Sequence, residues 1–152
     1  MDLPEQTDEM VIRQVEEDRK TLEGLCGYPI VGMAYPGGGN DDRVAEILKT
    51  HTPIKYARTV ENTYGFDLQE NLLRFNPTIY WCIKDKLDEV VDRFLALETD
   101  KPRLLYIWGH AYELDSDWYT WEDFEKLCKK LSGKADVFYG TNAECLLTKK
   151  ED

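Results

Sequence analysis

The sequence predicts an α/β fold in which mostly parallel strands alternate with helices. Short apolar runs indicate the strands, and residues 104–108 form the clearest run, unbroken as in a strand of a parallel sheet. Segments with apolar residues at helical spacing separate these runs, and such alternation is typical of parallel sheets. The chain has 152 residues, which is too short for a complete (β/α) barrel of about 250 residues. We therefore expect one domain over residues 1–152.

The first half of the chain alternates helix and strand twice. Residues 7–24 are predicted to be a helix that ends near Gly24 or Gly27 and carries apolar residues on one face: Val11, Val15, Leu22 and Leu25. An apolar run bounded by Gly and Pro predicts a buried strand over residues 28–35, and residues 36–40 form a glycine loop. Asn40 or Asp41 can then cap a helix with an apolar inner face: Val44, Ile47 and Leu48. A second strand is predicted over residues 54–60.

The second half continues the alternation after an irregular stretch at residues 61–81. Asp85 can cap a helix with one apolar stripe: Leu87, Val90, Val91, Phe94 and Leu95. After the strand at 104–108, Thr120 opens a helix with Asp123 as its capping-box partner and with these residues predicted to face inward: Trp121, Phe124, Leu127, Cys128 and Leu131. Residues 137–139 are predicted to be a short last strand, and Thr141 or Asn142 starts a terminal helix.

The charge balance excludes some classes of partner. The chain has 30 Asp and Glu against 19 Lys and Arg, a net charge of −11, and such a surface repels nucleic-acid phosphates and anionic lipids. We therefore expect neither nucleic acid nor membrane as a partner. No apolar stretch is long enough to span a bilayer, and the first residues are acidic and polar, so a cytoplasmic location is the default expectation.

The cysteines and histidines show no metal-ligand spacing. Four cysteines are scattered without a CxxC pair, and the chain has only two histidines. This pattern predicts buried free thiols and no metal site formed by these residues. The glycine loop likewise lacks the lysine of a phosphate-binding loop and runs into Asp41 and Asp42, so a tight turn with positive φ at its glycines is the prediction.

His110 is the first candidate for chemistry. It follows the clearest strand directly, at the carboxyl end, where α/β folds place their sites. Gly109 would let the chain turn and a ligand approach, and Glu113 or Asp115 could orient the imidazole. The structural alternative is a strand-end histidine that only satisfies a backbone carbonyl. His51 lies in a connection after a helix and is predicted to be solvated.

Arg58 and several aromatic residues are further candidates. An arginine near the end of an apolar strand needs an acidic partner, so Arg58 forms a structural ion pair, for example with Glu61, or holds a catalytic carboxylate. Trp81 and Trp118 are open candidates for stacking on sugar rings, whereas helical spacing assigns Trp121 to the core.

Three segments together resemble the polysaccharide deacetylases with NodB homology. They are GMAYPGG at 32–38 followed by NDDR at 40–43, YART at 56–59, and YIWGH at 106–110. Their order and spacing are similar to the C-terminal part of that domain, and nearly the whole chain is covered. The resemblance implies a distorted (β/α) barrel, of which this chain is the C-terminal portion, and a hydrolase that removes N- or O-acetyl groups from polysaccharide.

The resemblance also implies roles for individual residues. His110 matches the late histidine that acts as general acid, and the backbone N–H of Gly37 would bind the oxyanion. Tyr35, Pro36, Gly37 and Trp108 would lie at the substrate. The motif's usual arginine is Ala34 here, so we propose that Arg58 takes its place beside the catalytic base. Family members use a divalent metal such as zinc, held by an Asp-Asp motif and a His-x-x-x-His motif.

Neither of those two motifs is recognised in this chain. The sequence therefore predicts a fragment or truncated form of a polysaccharide deacetylase that binds no metal cofactor and is inactive alone. Intact members of the family often act at the cell surface. The alternatives are a non-catalytic carbohydrate-binding or structural module, and an unrelated small α/β protein. A half barrel leaves strand edges and apolar faces without neighbours, so self-association as a homo-oligomer is also expected.

Overall fold

Helices dominate the secondary structure of the computed structural model, which describes residues 2–147. The chain is a mixed α/β structure with about 49% helix and 9% strand. The α-helices in the described part are α1 Asp8–Cys26, α2 Asp42–His51, α3 Lys84–Leu95, α4 Trp121–Leu131 and α5 Asn142–Leu147. The strands are β1 Gly32–Ala34, β2 Tyr56–Arg58, β3 Ile79–Tyr80 and β4 Ile107–Trp108, and short 3-10 helices occur at Leu3–Glu5, Pro36–Gly38, Leu72–Arg74 and Ala111–Leu114.

The described residues form two compact units. The first combines residues of Met1–Val60, Gln69–Asn76 and Gly140–Asp152, and the second combines Glu61–Leu68 with Pro77–Tyr139. The first unit contains the parallel pair β1–β2, and the second contains the parallel pair β3–β4. The predicted α/β class with parallel strands is therefore confirmed, while a single domain over residues 1–152 stays a prediction.

Helix ends largely follow the capping residues seen in the sequence. The Thr7 hydroxyl accepts a hydrogen bond from the Met10 amide at 3.3 Å, and the Asp41 carboxylate accepts one from the Val44 amide at 2.7 Å. Helix α1 ends at Gly27, which has a φ of 76° as a left-handed cap requires. The cap predicted at Asp85 is wrong, because α3 already begins at Lys84 and Asp85 lies in its first turn.

The strands are shorter than predicted. The run at residues 104–108 contributes only Ile107–Trp108 to β4, and these residues are half-buried. Directly before β4, the Tyr106 amide donates to the Thr78 hydroxyl at 3.0 Å, and the Tyr106 carbonyl accepts from the Thr78 amide at 2.9 Å. The last predicted strand, at 137–139, is absent from the described structure. There Phe138 is exposed, and the Tyr139 hydroxyl donates to the Leu131 carbonyl at 2.6 Å.

The core of the first unit confirms only part of the predicted faces. It joins α1, α2 and the β1–β2 pair through these buried residues: Leu3, Val11, Val15, Tyr35, Val44, Ile47, Leu48, Ile54 and Ala57. Leu22 and Leu25 were expected on the inner face of α1, but they are 38% and 79% exposed. Spacing alone assigned them to the core, whereas only the first half of α1 has buried residues.

The core of the second unit forms around β3 and α3 and consists of Phe66, Ile79, Leu87, Val90, Val91, Leu114, Tyr119 and Leu127. Trp121 was predicted to join it but is 58% exposed. Because Trp121 is the first residue of α4, its indole can turn away from the helix stripe, and its N–H donates to Asp115 at 2.9 Å. The prediction that Trp121 is a core residue is therefore wrong.

The cysteines are free thiols, but their predicted burial is wrong. Cys26 and Cys128 are exposed, and Cys82 and Cys145 are half-buried.

No helix within residues 2–147 has the length and apolar character needed to cross a membrane. Each described sheet has two strands, so each strand has one strand as its neighbour. In addition, Arg58 of β2 forms an isolated bridge with Phe75. Self-association through such edges stays a prediction.

Candidate functional site

A short 3-10 helix turns the chain back after β4 and brings Glu113 next to His110. This helix spans Ala111–Leu114, and the Glu113 amide donates to the His110 carbonyl at 2.9 Å. In the other direction, the His110 amide donates to Glu113 Oε2 at 2.9 Å, and ring atom Nδ1 lies 2.9 Å from Glu113 Oε1. The turn therefore holds the imidazole against a carboxylate three residues away.

The Glu113 carboxylate is buried and surrounded by donors. Its residue is only 5% exposed. The carboxylate accepts hydrogen bonds from the His110 amide and ring Nδ1. It also accepts from the Tyr80 hydroxyl, from Trp81 Nε1 at 2.9 Å and from Cys82 Sγ at 3.6 Å. Burial alone would raise the pKa of Glu113, but the hydrogen bonds from Tyr80, His110 and Trp81 outweigh it and lower the pKa from 4.5 to about 2. Glu113 is therefore ionised at neutral pH.

An ionised carboxylate fixes the tautomer of His110. Since Glu113 can only accept hydrogen bonds, Nδ1 must carry a proton, and Nε2 is then the atom that gains or loses a proton. The His110 side chain is 47% exposed, so the ring is open to solvent beside its buried partner. Such a pair can act as a general acid or general base, with the carboxylate compensating the positive charge of the imidazolium.

The neutral form of His110 is expected to carry its proton on Nδ1. Free imidazole side chains favour the proton on Nε2, so this assignment reports directly on the Glu113 contact. Two-dimensional ¹⁵N–¹H spectra of the labelled chain above the histidine titration should show the Nδ1–H pattern for His110. In Glu113→Gln this pattern should be lost or mixed, whereas His51 serves as an internal reference in both proteins. A predominant Nε2–H form in the unsubstituted chain would contradict the geometry.

Aromatic rings surround the exposed side of His110. The Tyr112 ring stacks on the imidazole with centroids 5.1 Å apart, and Trp108 meets it edge to face at 5.6 Å. Trp108 also packs on Tyr80 at 4.7 Å, and its Nε1 lies 3.4 Å from Asn62 Oδ1. His110 and Trp108 are thus brought together, as expected for two residues at one site. Tyr112, which is 73% exposed, joins them without having been predicted.

The Trp81 indole packs directly against Gly109. A Cβ atom at Gly109 would overlap the Trp81 indole. That indole stacks on Tyr119 with centroids 5.8 Å apart and meets Phe124 at 5.5 Å. Gly109 is therefore needed for the Trp81 side chain to approach closely, and the approach of a ligand at Gly109 stays a prediction. With its N–H on Glu113, Trp81 supports the site from within the fold.

The remaining predicted site residues belong to the first unit. Arg58 ends β2, is half-buried, and donates from Nη1 to the Thr59 carbonyl at 2.8 Å. Tyr35 is buried, which raises its pKa to about 12, and its hydroxyl donates to the Leu73 carbonyl at 2.6 Å. A sugar contact of the Tyr35 side chain would require this packing to open. The roles of Arg58 and Tyr35 stay predictions.

The glycine loop has the predicted backbone. Gly37 and Gly38 have φ values of 66° and 86°, which confirms a turn that uses positive φ. Pro36 and Gly37 are exposed, and their contact with substrate stays a prediction.

His51 is exposed as expected, with Nδ1 2.6 Å from the Thr50 hydroxyl. Asp115, the other acid considered for His110, instead accepts from Trp121.

The described residues offer no place for the divalent metal that the resemblance implies. Within residues 2–147, no group of three or more His, Cys, Asp or Glu side chains is arranged to hold a metal ion. The residues that surround His110 are one ionised carboxylate and aromatic rings, and Glu113 is already engaged by five donors. These residues do not fit a metal site.

The chain was compared with protein-family models, curated proteins and solved structures, and none of the three comparisons gives a match. The site itself is therefore the basis for assigning a function.

Proposed function

We propose that this chain carries the acid–base histidine of a polysaccharide deacetylase and forms the C-terminal portion of a distorted, NodB-like (β/α) barrel. The observation that supports the proposal is the His110–Glu113 pair at the end of β4, with Nδ1 2.9 Å from a buried carboxylate. This pair lies directly after the strand segment YIWGH that carries the resemblance. Its exposed imidazole has the environment that proton transfer to a substrate requires.

The proposed chemistry is hydrolysis of an acetyl amide or ester on a sugar. A water oxygen bonds to the acetyl carbonyl carbon, and the bond from that carbon to the sugar nitrogen or oxygen breaks. The leaving atom must receive a proton, which the imidazolium form of His110 donates from Nε2 while Glu113 keeps Nδ1 protonated, and the attacking water loses a proton to the base that the family's Asp-Asp motif supplies. The products are acetate and a sugar amine or hydroxyl. Trp108 and Tyr112 would restrict the positions of the imidazole and of a sugar ring beside it.

Activation of the attacking water is not assigned to any residue of this chain. In the family, that role belongs to the Asp-Asp motif and to the metal. We therefore propose that the chain does not release acetate by itself and that the complete reaction needs these motifs from further sequence. The roles proposed for Arg58 beside the base and for Gly37 at the oxyanion also depend on that context.

Acetate release from N-acetylated chito-oligosaccharides tests this proposal. The 152-residue chain is expected to release none, with or without added zinc. If the reading frame continues upstream of Met1 with both motifs, its longer product should deacetylate these substrates. His110→Ala should lower kcat of that product about 10²–10⁴-fold, while His51→Ala, the matched control, should leave it unchanged.

Two results would overturn the proposal. Zinc-dependent turnover by the 152-residue chain would remove the claim that it is an incomplete enzyme. A longer product that lacks either motif, or that keeps full activity with His110→Ala, would remove the assignment of the histidine. The alternative of a carbohydrate-binding module would then be favoured by saturable glycan binding without hydrolysis.

A further inference from the structure

Two exposed tryptophans, Trp118 and Trp121, lie in and directly after a tight loop that follows the His110–Glu113 pair. An antiparallel bridge between Asp115 and Thr120 closes the loop, and the Trp118 amide donates to the Ser116 hydroxyl at 3.2 Å. Trp118 is 70% exposed and Trp121 is 58% exposed. Tryptophan is highly buried on average, so two indoles presented to solvent from the loop and the first residue of α4 are a feature that folding of the chain does not explain.

The orientation of one of these indoles is fixed. Trp121 Nε1 donates to Asp115 Oδ1 at 2.9 Å, and the ring meets Phe124 edge to face with centroids 6.3 Å apart. The exposed indole therefore does not need to be ordered when a ligand arrives, which lowers the entropic cost of binding. A flat, pre-oriented aromatic surface beside a carboxylate suits a ligand that combines apolar C–H faces with hydrogen-bond donors.

The charges around the loop select the kind of ligand. No lysine or arginine occurs between residues 104 and 125 of the sequence, and Lys84, which reaches this region from α3, is paired with Asp123 at 2.8 Å. Glu122 is paired with Lys126 at 2.9 Å. Asp115 and Asp117 are both exposed, and neither forms an ion pair within the described residues. An anionic partner such as a nucleic acid or an acidic lipid surface is repelled here, whereas a cationic one is attracted.

We propose that Trp118, Trp121, Asp115 and Asp117 form a binding surface for an oligosaccharide that carries free amino groups. Sugar rings stack on the two indoles, and the ammonium groups pair with the aspartates. The inference rests on the proposed function and deepens it, because hydrolysis of an N-acetyl group converts a neutral sugar into a cationic one. The surface thus retains the part of a polymer that has already been deacetylated.

Titration calorimetry on the 152-residue chain tests the surface directly, with a glucosamine hexamer and an N-acetylglucosamine hexamer as the two probes. We expect the glucosamine hexamer to bind about tenfold more tightly or better, which corresponds to about 1.4 kcal/mol, and added salt to reduce this preference. Asp115→Asn combined with Asp117→Asn should remove the preference for the amine and leave weak binding of both probes.

Variants of the aromatic residues distinguish specific binding at this surface from nonspecific binding to exposed aromatic side chains. Trp118→Ala and Trp121→Ala should each weaken binding of the glucosamine hexamer about tenfold, whereas Trp121→Phe should retain most of it. Phe138→Ala is the matched control, because Phe138 is also 70% exposed in the same unit and should not contribute. Equal affinity for the two probes, or an equal loss in Phe138→Ala, would overturn the inference.

The binding surface and the proposed function can be refuted independently of each other. If a longer product deacetylates chito-oligosaccharides while the chain shows no preference for the glucosamine hexamer, only the binding surface is refuted. If the preference is found and the tryptophans carry it, but no product deacetylates, the surface is supported and the deacetylase proposal is refuted.

Discussion

Replacing Gly109 with alanine is expected to lower the free energy of unfolding by about 2–3 kcal/mol. The added methyl group would overlap the Trp81 indole, which cannot easily move away. Tyr119 stacks on one side of this indole, Phe124 meets it, and its N–H is held by the buried Glu113. Urea denaturation followed by circular dichroism measures the loss, and near-ultraviolet dichroism should report the displaced indole.

Gly24→Ala is the matched control for this substitution. Gly24 lies within α1, and a Cβ atom built there has no neighbour within 4 Å. Alanine favours a helix by about 1 kcal/mol over glycine, so Gly24→Ala should stabilise the protein. The two glycine-to-alanine substitutions therefore have opposite expected signs. If Gly109→Ala is as stable as the unsubstituted chain, the close packing of Trp81 against Gly109 is incorrect.

Replacing Glu113 with glutamine is expected to lower the free energy of unfolding at neutral pH by about 3 kcal/mol or more. An amide keeps the shape of the side chain but offers one accepting oxygen and two N–H groups to a site built from donors. At least one donor among Tyr80, Trp81 and His110 then loses its acceptor inside the fold. Glu122→Gln is the control, because Glu122 is exposed and, among the described residues, its ion pair is with exposed Lys126; a change within about 0.5 kcal/mol is expected there.

The Glu113 contribution should also depend on pH with a defined sign. Its pKa falls from 4.5 to about 2 on folding, so the folded protein binds this proton less tightly than the unfolded chain does. The stabilisation is therefore fully present above the unfolded pKa and is lost as pH falls toward 2, an effect of about 3 kcal/mol. The difference in unfolding free energy between the unsubstituted chain and Glu113→Gln should shrink over this range.

A constant difference between the two proteins from neutral to acidic pH would contradict this assignment. Glu16 has a similarly lowered pKa of about 2, because of its hydrogen bond with Arg19 despite partial burial. Since Glu16 is present in both proteins, its contribution cancels in the comparison. The remaining pH dependence then belongs to the cluster of donors around Glu113.

The sequence predicted the local features of this protein well. Helix ends at Thr7, Gly27, Asp41 and Thr120 depend on side chains and backbone angles within a few residues, so their signals are present in the chain itself. Parallel pairing follows from the alternation of helices and strands. The position of His110 at the end of a strand was also evident, because it needs only the apolar run before it.

Burial was predicted less well, because it depends on which other elements reach a residue. Leu25 and Trp121 have the spacing of core residues but are exposed, since helical spacing defines a face without showing how far the packing partner extends. In the opposite direction, Trp81 lay in a stretch without regular spacing, and yet it packs between Tyr119 and Phe124. No pattern within the sequence connects these distant positions.

The sequence by itself determined an α/β chain with parallel strands, its main helices, and a histidine after its clearest strand. It left Glu113 and Asp115 as equal candidates for the partner of that histidine. Only the tertiary structure decided between them, because the 3-10 turn and three donors from the β3 region bury and ionise Glu113, while Asp115 turns to Trp121. The reason is physical: a buried carboxylate is held ionised by the donors that surround it, and those donors come from another part of the chain.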